Sequence, residues 1–314
     1  VVTDDLASSL DVLELKNAHI YLKAANAVFT PAHGFSAVST SVDFPVLECV
    51  TSKCRAVISL QGAQVLSFIP NGKQDLLWLS PLATFKTGDA IRGGIPQCLP
   101  WFGVNRRQPE LPKHGVARTQ MWTLGDVSQD ADETLNLRFV FSPNDDDLEA
   151  FPYPFTAQLE VSMGSELGLT LRIKNEGGDA MPLSFAMHSY FAVSELDAVR
   201  IEGIAGREYL DNCQGLARFV QDQELQFDAE IDRVYEALGA CQQIHDGSRK
   251  IKIDGEACDT VVIWNPGQTL AAGLADVGPY FRDYVCLERG MAFGDELELV
   301  SGEAAQATMR LSSN

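Results

Sequence analysis

FTAQLEVSMGSELGLTLRIKNEGG, residues 155–178, decides the fold class. Its apolar residues fall on alternate positions: Phe155, Ala157, Leu159 and Val161, then, past a turn near Gly164, Leu167, Leu169, Leu171 and Ile173. Successive side chains of an extended chain point to opposite faces, so each run buries one face and the two together read as a hairpin. LNLRFVF (135–141) repeats the pattern with Leu135, Leu137, Phe139 and Phe141. Further strands are expected at 54–60, 63–69, 183–187, 250–254, 260–264, 284–288, 296–300 and 305–311. Breaks such as PNGKQD, SPNDDD and WNPGQ separate most of them. Helical patterns are few and short: one at 268–277, and a turn within 231–239. Many short strands without strand–helix alternation predict an all-β antiparallel sandwich or barrel. All-β units of this length fold as one body, so residues 1–314 are read as a single domain.

The chain of 314 residues carries 24 Lys and Arg against 43 Asp and Glu, a net charge of −19. That surface repels nucleic acid and anionic membranes, so neither is an expected partner. No apolar window is long enough to span a bilayer, and VVTDDLASSL has no secretory-signal pattern. The seven cysteines form no C-x-x-C pair, and their odd number argues against a disulfide framework. A cytoplasmic location is expected.

Several chemistries have no support. The phosphate-cradling G-x-x-x-x-G-K-[ST], the dinucleotide G-x-G-x-x-G, the zinc motif H-E-x-x-H and the nucleophile elbow G-x-S-x-G are absent. The five histidines are scattered, and DDD at 145–147 reads as a solvated loop, lacking the glycine and distal glutamate of a calcium loop. Neither a metal nor a cofactor is expected.

Against this acidic background, residues 90–120 hold Arg92, Arg106, Arg107, Lys113 and Arg118 and only Glu110. The surrounding IRGGIPQCLPWFG (91–103) and LPKHGVAR (111–118) are rich in glycine and proline. Gly93, Gly94 and Gly115 allow positive φ and close backbone approach, while Pro96, Pro100 and Pro112 stiffen the loops. Rigid loops bearing arginine suit a small anion such as phosphate; a solvated loop with chance charge is the alternative. Arg106 and Arg107 read as ordinary surface charge. Elsewhere, His188 in LSFAMHSYFAV and Glu288 in DYVCLERG could together form an acid–base pair. Taken singly, His188 fits a satisfied core histidine and Glu288 a partner of Arg289. Asp232 is a third acidic candidate or a partner of Arg233. Trp101, Phe102 and Trp264 suit either the core or stacking on a sugar.

These segments, with LQGAQVLSF, LLWLSPLA, EIDRVYE and VVIWNP, resemble in order the hexose-6-phosphate mutarotases (glucose-6-phosphate 1-epimerases), a branch of the aldose 1-epimerase family. The resemblance covers roughly residues 45–311; residues 1–40 match weakly, and His19 and His33 receive no role. It implies a large galactose-mutarotase-like β-sandwich and a cofactor-free exchange of the α and β anomers of a hexose 6-phosphate by a monomer. It places His188 and Glu288 as catalytic residues, with Arg92, Lys113, His114, Arg118, Gln120 and Asp232 binding substrate. Glu288 would be the base at O1 and His188 the acid at O5. His188 would then start protonated and Glu288 ionised, which gives a bell-shaped pH profile. The competing readings are an epimerase of unphosphorylated aldoses, a non-catalytic carbohydrate-binding protein, and a glycosidase using Glu288 and Asp232.

Overall fold

A computed structural model describes residues 2–35, 44–239 and 241–314; residues 36–40 of the weakly matched N-terminal segment lie outside it. The hairpin that opened the sequence is Phe155–Met163 paired antiparallel with Leu167–Asn175, Leu159 opposite Leu171. Odd-numbered residues of both strands are buried and even-numbered ones largely are not. Around it grows an eight-stranded antiparallel sheet. In spatial order it runs Arg200–Glu202, Cys241–Asp246, Arg249–Glu256, Ala304–Ser313, Leu167–Asn175, Phe155–Met163, Leu135–Phe141 and Thr123–Gln129.

A second eight-stranded sheet runs Ala217–Val220, Glu208–Asp211, Ile231–Tyr235, Thr260–Asn265, Tyr284–Met291, Phe185–Met187 and Gln97–Cys98, with Tyr190–Ala192 also paired to Tyr284–Met291. Leu137, Leu159, Leu171, Ile253 and Met309 from the first sheet share one continuous core with Met187, Tyr235, Ile263 and Leu287 from the second. This is the expected all-β sandwich, and burying a Leu or Phe side chain in it contributes about 1.5–3 kcal/mol each. A four-stranded antiparallel sheet (Ala18–Ala24, Pro45–Thr51, Cys54–Ser59, Val65–Pro70) flanks the sandwich. Its Leu47, Ala56 and Ile58 join the main core, while Val46, Val57 and Leu66 face a smaller cluster with Phe44 and Phe85.

The structure departs from the sequence reading at several places. Residues 231–235 are a strand, because IDRVY pairs with 208–211 on one side and 260–265 on the other, and the expected turn follows at 236–237. The expected helix at 268–277 is only Gly267–Ala271, with Gly273 following at once. DDD is no loop: it is the first turn of helix Asp145–Ala150, where Asn144 and Asp147 form a reciprocal capping box. Three acids there complement the positive end of the helix.

The glycine-rich loops behave as their composition suggests. Gly94 has φ 61°, and a Cβ there would sit 2.2 Å from the Val65 carbonyl oxygen. Gly115 has φ 70°, and its Cβ would meet the Leu99 carbonyl oxygen at 2.0 Å. Only glycine lets residues 91–103 and 113–118 lie this close to their neighbours. Gly115→Ala is therefore expected to cost about 2 kcal/mol or more from the left-handed backbone and the clash together. Urea unfolding checks this; an unchanged midpoint would mean the 113–118 loop is not held against Leu99.

Candidate active site

Strand register assembles one wall of the site. Asp232 lies opposite Trp264, Trp264 opposite Cys286, and Cys286 opposite Tyr190. Residues directly opposite in antiparallel strands share a face, so these four line up across the sheet. Two residues along the same face, Val262 lies opposite Glu288. Arg289 points the other way, into the sandwich, where it donates to Gly239 O at 2.7 Å and to the Gln242 side chain. The Glu288–Arg289 pairing left open by the sequence is excluded by the pleat. Asp232 likewise pairs with Asn212, whose Nδ2 donates at 2.7 Å, rather than with Arg233.

The glycine-proline loops supply the opposite wall. Tyr190 N–H donates to Gly94 O at 2.9 Å and His188 N–H to Pro96 O at 3.0 Å, so segment 92–96 is stitched beside His188. Arg92 Nε donates to Asp276 Oδ2 at 3.0 Å and its Nη1 to Tyr190 OH at 3.2 Å. His114 N–H donates to Gly103 O at 2.8 Å, and Gly103 N–H returns a bond to His114 Nδ1 at 3.3 Å. An accepting Nδ1 leaves the proton of a neutral ring on Nε2. Arg118 Nη2 donates to Lys113 O at 3.0 Å, while its buried Nε has no partner.

These walls enclose a cavity of about 620 Å³, within the range of small-molecule sites. Its lining includes Arg92, Lys113, His114, Arg118, His188, Asp232 and Glu288. At its floor His188 Nε2 lies 3.3 Å from Glu288 Oε1, with the two side chains 8% and 2% exposed. The His188 ring stacks on Tyr190 with centroids 4.9 Å apart. Burial, reinforced by His114, Arg118 and Arg92, pushes the His188 pKa well below 6.5. Burial, with the Asp232 charge, pushes Glu288 well above 4.5 against the pull of Arg118. Both shifts favour the uncharged form of each group, opposite in direction to the protonated His188 and ionised Glu288 expected from sequence. His114 is pushed down to about 3 by burial and by Arg118, Lys113 and Arg92, so it too is neutral.

The structure brings together every candidate named from sequence except Gln120, which does not line the cavity and instead reaches Asp147 at 3.4 Å. Phe102 and Trp264 line it; Trp101 is buried elsewhere, its Nε1 donating to Pro112 O. Arg106, read as plain surface charge, stands on the cavity rim over the Phe293 ring. Tyr190, Asp276 and Asn212 were missed. Tyr190 could have been found, lying two residues past His188 among aromatics; a lone aspartate in the loop at 276 carried no such signal.

Residues 46–312 match the sequence profile of the aldose 1-epimerase family. A protein of Cenchrus ciliaris named "Putative glucose-6-phosphate 1-epimerase" is 34% identical over 272 residues, 83% of this chain and 82% of that one. An Escherichia coli K12 protein of the same name is 34% identical over 253 residues, 79% and 83% of the two chains. In three dimensions the "putative mutarotase (YeaD)" of Salmonella typhimurium superposes with a TM-score of 0.79 at 29% identity, over 86% of this chain and 90% of that one. A galactose mutarotase-like protein from Lactobacillus casei gives 0.66 at 16% identity, over 86% and 100%, a likeness of fold. The architecture is thus the sandwich of sugar mutarotases. The chain belongs to the aldose 1-epimerase family.

The raised Glu288 pKa has a consequence for stability. The folded carboxyl keeps its proton where the unfolded one has lost it, so stability falls as pH rises from 4.5 toward the folded value. Glu288→Gln removes that loss and should raise stability at neutral pH, with little gain below pH 4.5. Denaturant titrations at both pH values check the sign. A destabilised variant at neutral pH would show that Glu288 is ionised in the folded protein.

Proposed function

We propose that the chain interconverts the α and β anomers of glucose 6-phosphate or a related hexose 6-phosphate, using Glu288 and His188 as the proton-transferring pair. The observation that carries this reading is a buried carboxyl and imidazole 3.3 Å apart, opening on a cavity lined by Lys113 and Arg118. The names carried by the Cenchrus and Escherichia relatives point the same way.

Anomer exchange opens the ring, turns the C1 aldehyde over and closes the ring on its other face. Opening removes the O1 proton, breaks the C1–O5 bond and protonates O5. Two proton sites a hydrogen-bond length apart suit those two oxygens, because both are bonded to C1. The pair holds one transferable proton; it rests on Glu288 and passes to His188, leaving Glu288 as base at O1 and His188 as acid at O5. The C6 phosphate lies on the O5 side of the ring. There it opposes the Arg118 charge that disfavours imidazolium, and so draws the proton onto His188. Acid–base catalysis of this kind is worth about 10²–10⁴-fold, and binding energy from the remote phosphate holds the ring in register.

Charge pairing divides the arginines. Arg92 is neutralised by Asp276, which suits it to sugar hydroxyls. Among the described residues Arg118 has only a carbonyl partner, which suits it, with Lys113, to the phosphate. His114 and Asp232 would hold ring hydroxyls. All seven cysteines are free; with the family resemblance, we read the protein as a cytoplasmic monomer, one domain over residues 1–314, without nucleic-acid or membrane partners. No described helix is long and apolar enough to cross a membrane.

NMR exchange spectroscopy on the anomeric protons of glucose 6-phosphate, with glucose alongside, tests the assignment. Arg118→Ala should lower kcat/KM for the phosphate roughly 10–100-fold, the loss of one charged hydrogen bond, and leave residual exchange of glucose unchanged. Arg92→Ala should lower both. Equal exchange of both sugars by the unaltered protein would move the assignment to free aldoses. Binding without exchange would leave a carbohydrate-binding protein. The pair's single proton also sets the pH profile: kcat/KM should hold a broad plateau through neutrality, with the acid limb below 6.5, where His188 takes a second proton. An acid limb at or above 6.5 would contradict the buried, neutral imidazole.

A further inference from the structure

Cys286 stands two residues before Glu288 on the same face of strand Tyr284–Met291, directly opposite both Trp264 and Tyr190. Its thiol, the His188 imidazole and the Glu288 carboxylate each present a ligand atom, and all three atoms lie within 4.8 Å of one another. All three residues are buried. Glu288 Oε2 and His188 Nδ1 have no hydrogen-bond partner, so the group has unused coordinating capacity. The exchange reaction as described uses the imidazole and the carboxyl and gives the thiol no part.

We propose that His188, Cys286 and Glu288 form an inhibitory site for a thiophilic divalent cation, with Zn²⁺ the fitting ion. One nitrogen, one sulfur and one carboxylate oxygen match the ligand types of zinc, which binds them at about 2.0–2.3 Å in a tetrahedron. Three protein ligands leave the fourth position to water on the cavity side. The ion takes the place of the thiol and carboxyl protons, which leave to solvent. Arg92 and Arg118 nearby disfavour cations held by charge alone. Mg²⁺ and Ca²⁺, which require several oxygen ligands, therefore do not compete. A bound ion occupies both members of the acid–base pair, so metal and sugar phosphate exclude one another. The metal site stands on the cluster itself, while its inhibitory effect rests on the epimerase reading.

Co²⁺ added to the metal-free full-length protein supplies a readout separate from catalysis, because a cobalt–thiolate bond absorbs in the near ultraviolet. That band is expected in the unaltered protein, is lost in Cys286→Ser, and is displaced by glucose 6-phosphate. Cys213→Ser serves as the control, since Cys213 is the exposed thiol and lies near Asp232 and Glu230; it should keep the band. Zn²⁺ should inhibit anomer exchange reversibly, with chelator restoring the rate. Relative to its own metal-free rate, Cys286→Ser should need at least about tenfold more Zn²⁺ for half-inhibition than the unaltered protein. If Cys286→Ser fails to fold, Glu288→Gln tests the carboxylate ligand by the same weakening of the cobalt band. A wild-type protein without the band, or a band that survives in Cys286→Ser and vanishes in Cys213→Ser, overturns the proposal.

Discussion

Strand Tyr284–Met291 is buried on both faces for nearly its whole length, and that constraint governs the rest of the molecule. A central strand with no solvent side forces Glu288 into a desolvated position beside His188. An isolated carboxylate there would be costly, so burial raises the Glu288 pKa and lowers that of His188. Both shifts favour the uncharged forms, a pair with one movable proton. That arrangement is poor for stability and good for chemistry, because a proton shared across 3.3 Å can be delivered to either of two oxygens on C1.

The charges around the pair are nearly balanced rather than simply positive. Arg92, Arg106, Lys113 and Arg118 face Glu230, Asp232, Asp276 and Glu296 across the same cavity. Arg92 is tied to Asp276 and to Tyr190, and Arg106 lies 3.9 Å from Glu296. In the proposed reading, selectivity for a phosphate comes from where Arg118 and Lys113 stand, not from the overall sign of the cavity. This also explains how a protein of net charge −19 can hold a small anion site: the distant acids are screened beyond about 10 Å, and the local donors decide.

Much of this was legible in the sequence because its physics is local. Alternation in 135–141 and 155–173 reported strands with one buried face, and those strands form as read. Thr123–Gln129 and Ala217–Val220 escaped notice because they are largely exposed and leave no apolar alternation. The charge and glycine content of 91–118 marked loops that line the cavity, and the tight approaches at Gly94 and Gly115 show why those glycines are needed. Distant pairings were not legible. Asp276 meets Arg92 across 184 residues of chain, and nothing local announces it. The direction of the pKa shifts was hidden for the same reason: those of His188 and Glu288 come from burial that only the assembled sheets create. Cys286 is the intermediate case, since its two-residue spacing from Glu288 placed it on the same face once 284–288 was read as a strand.

The account rests on that neutral pair, and difference infrared spectroscopy of the free protein tests it most directly. At neutral pH a protonated carboxyl C=O band should be present and should disappear in Glu288→Gln, while the ¹⁵N shifts of His188 report an uncharged ring. A carboxylate band for Glu288 together with imidazolium shifts for His188 would show a resting ion pair, and would contradict the claim that burial sets the state of the site.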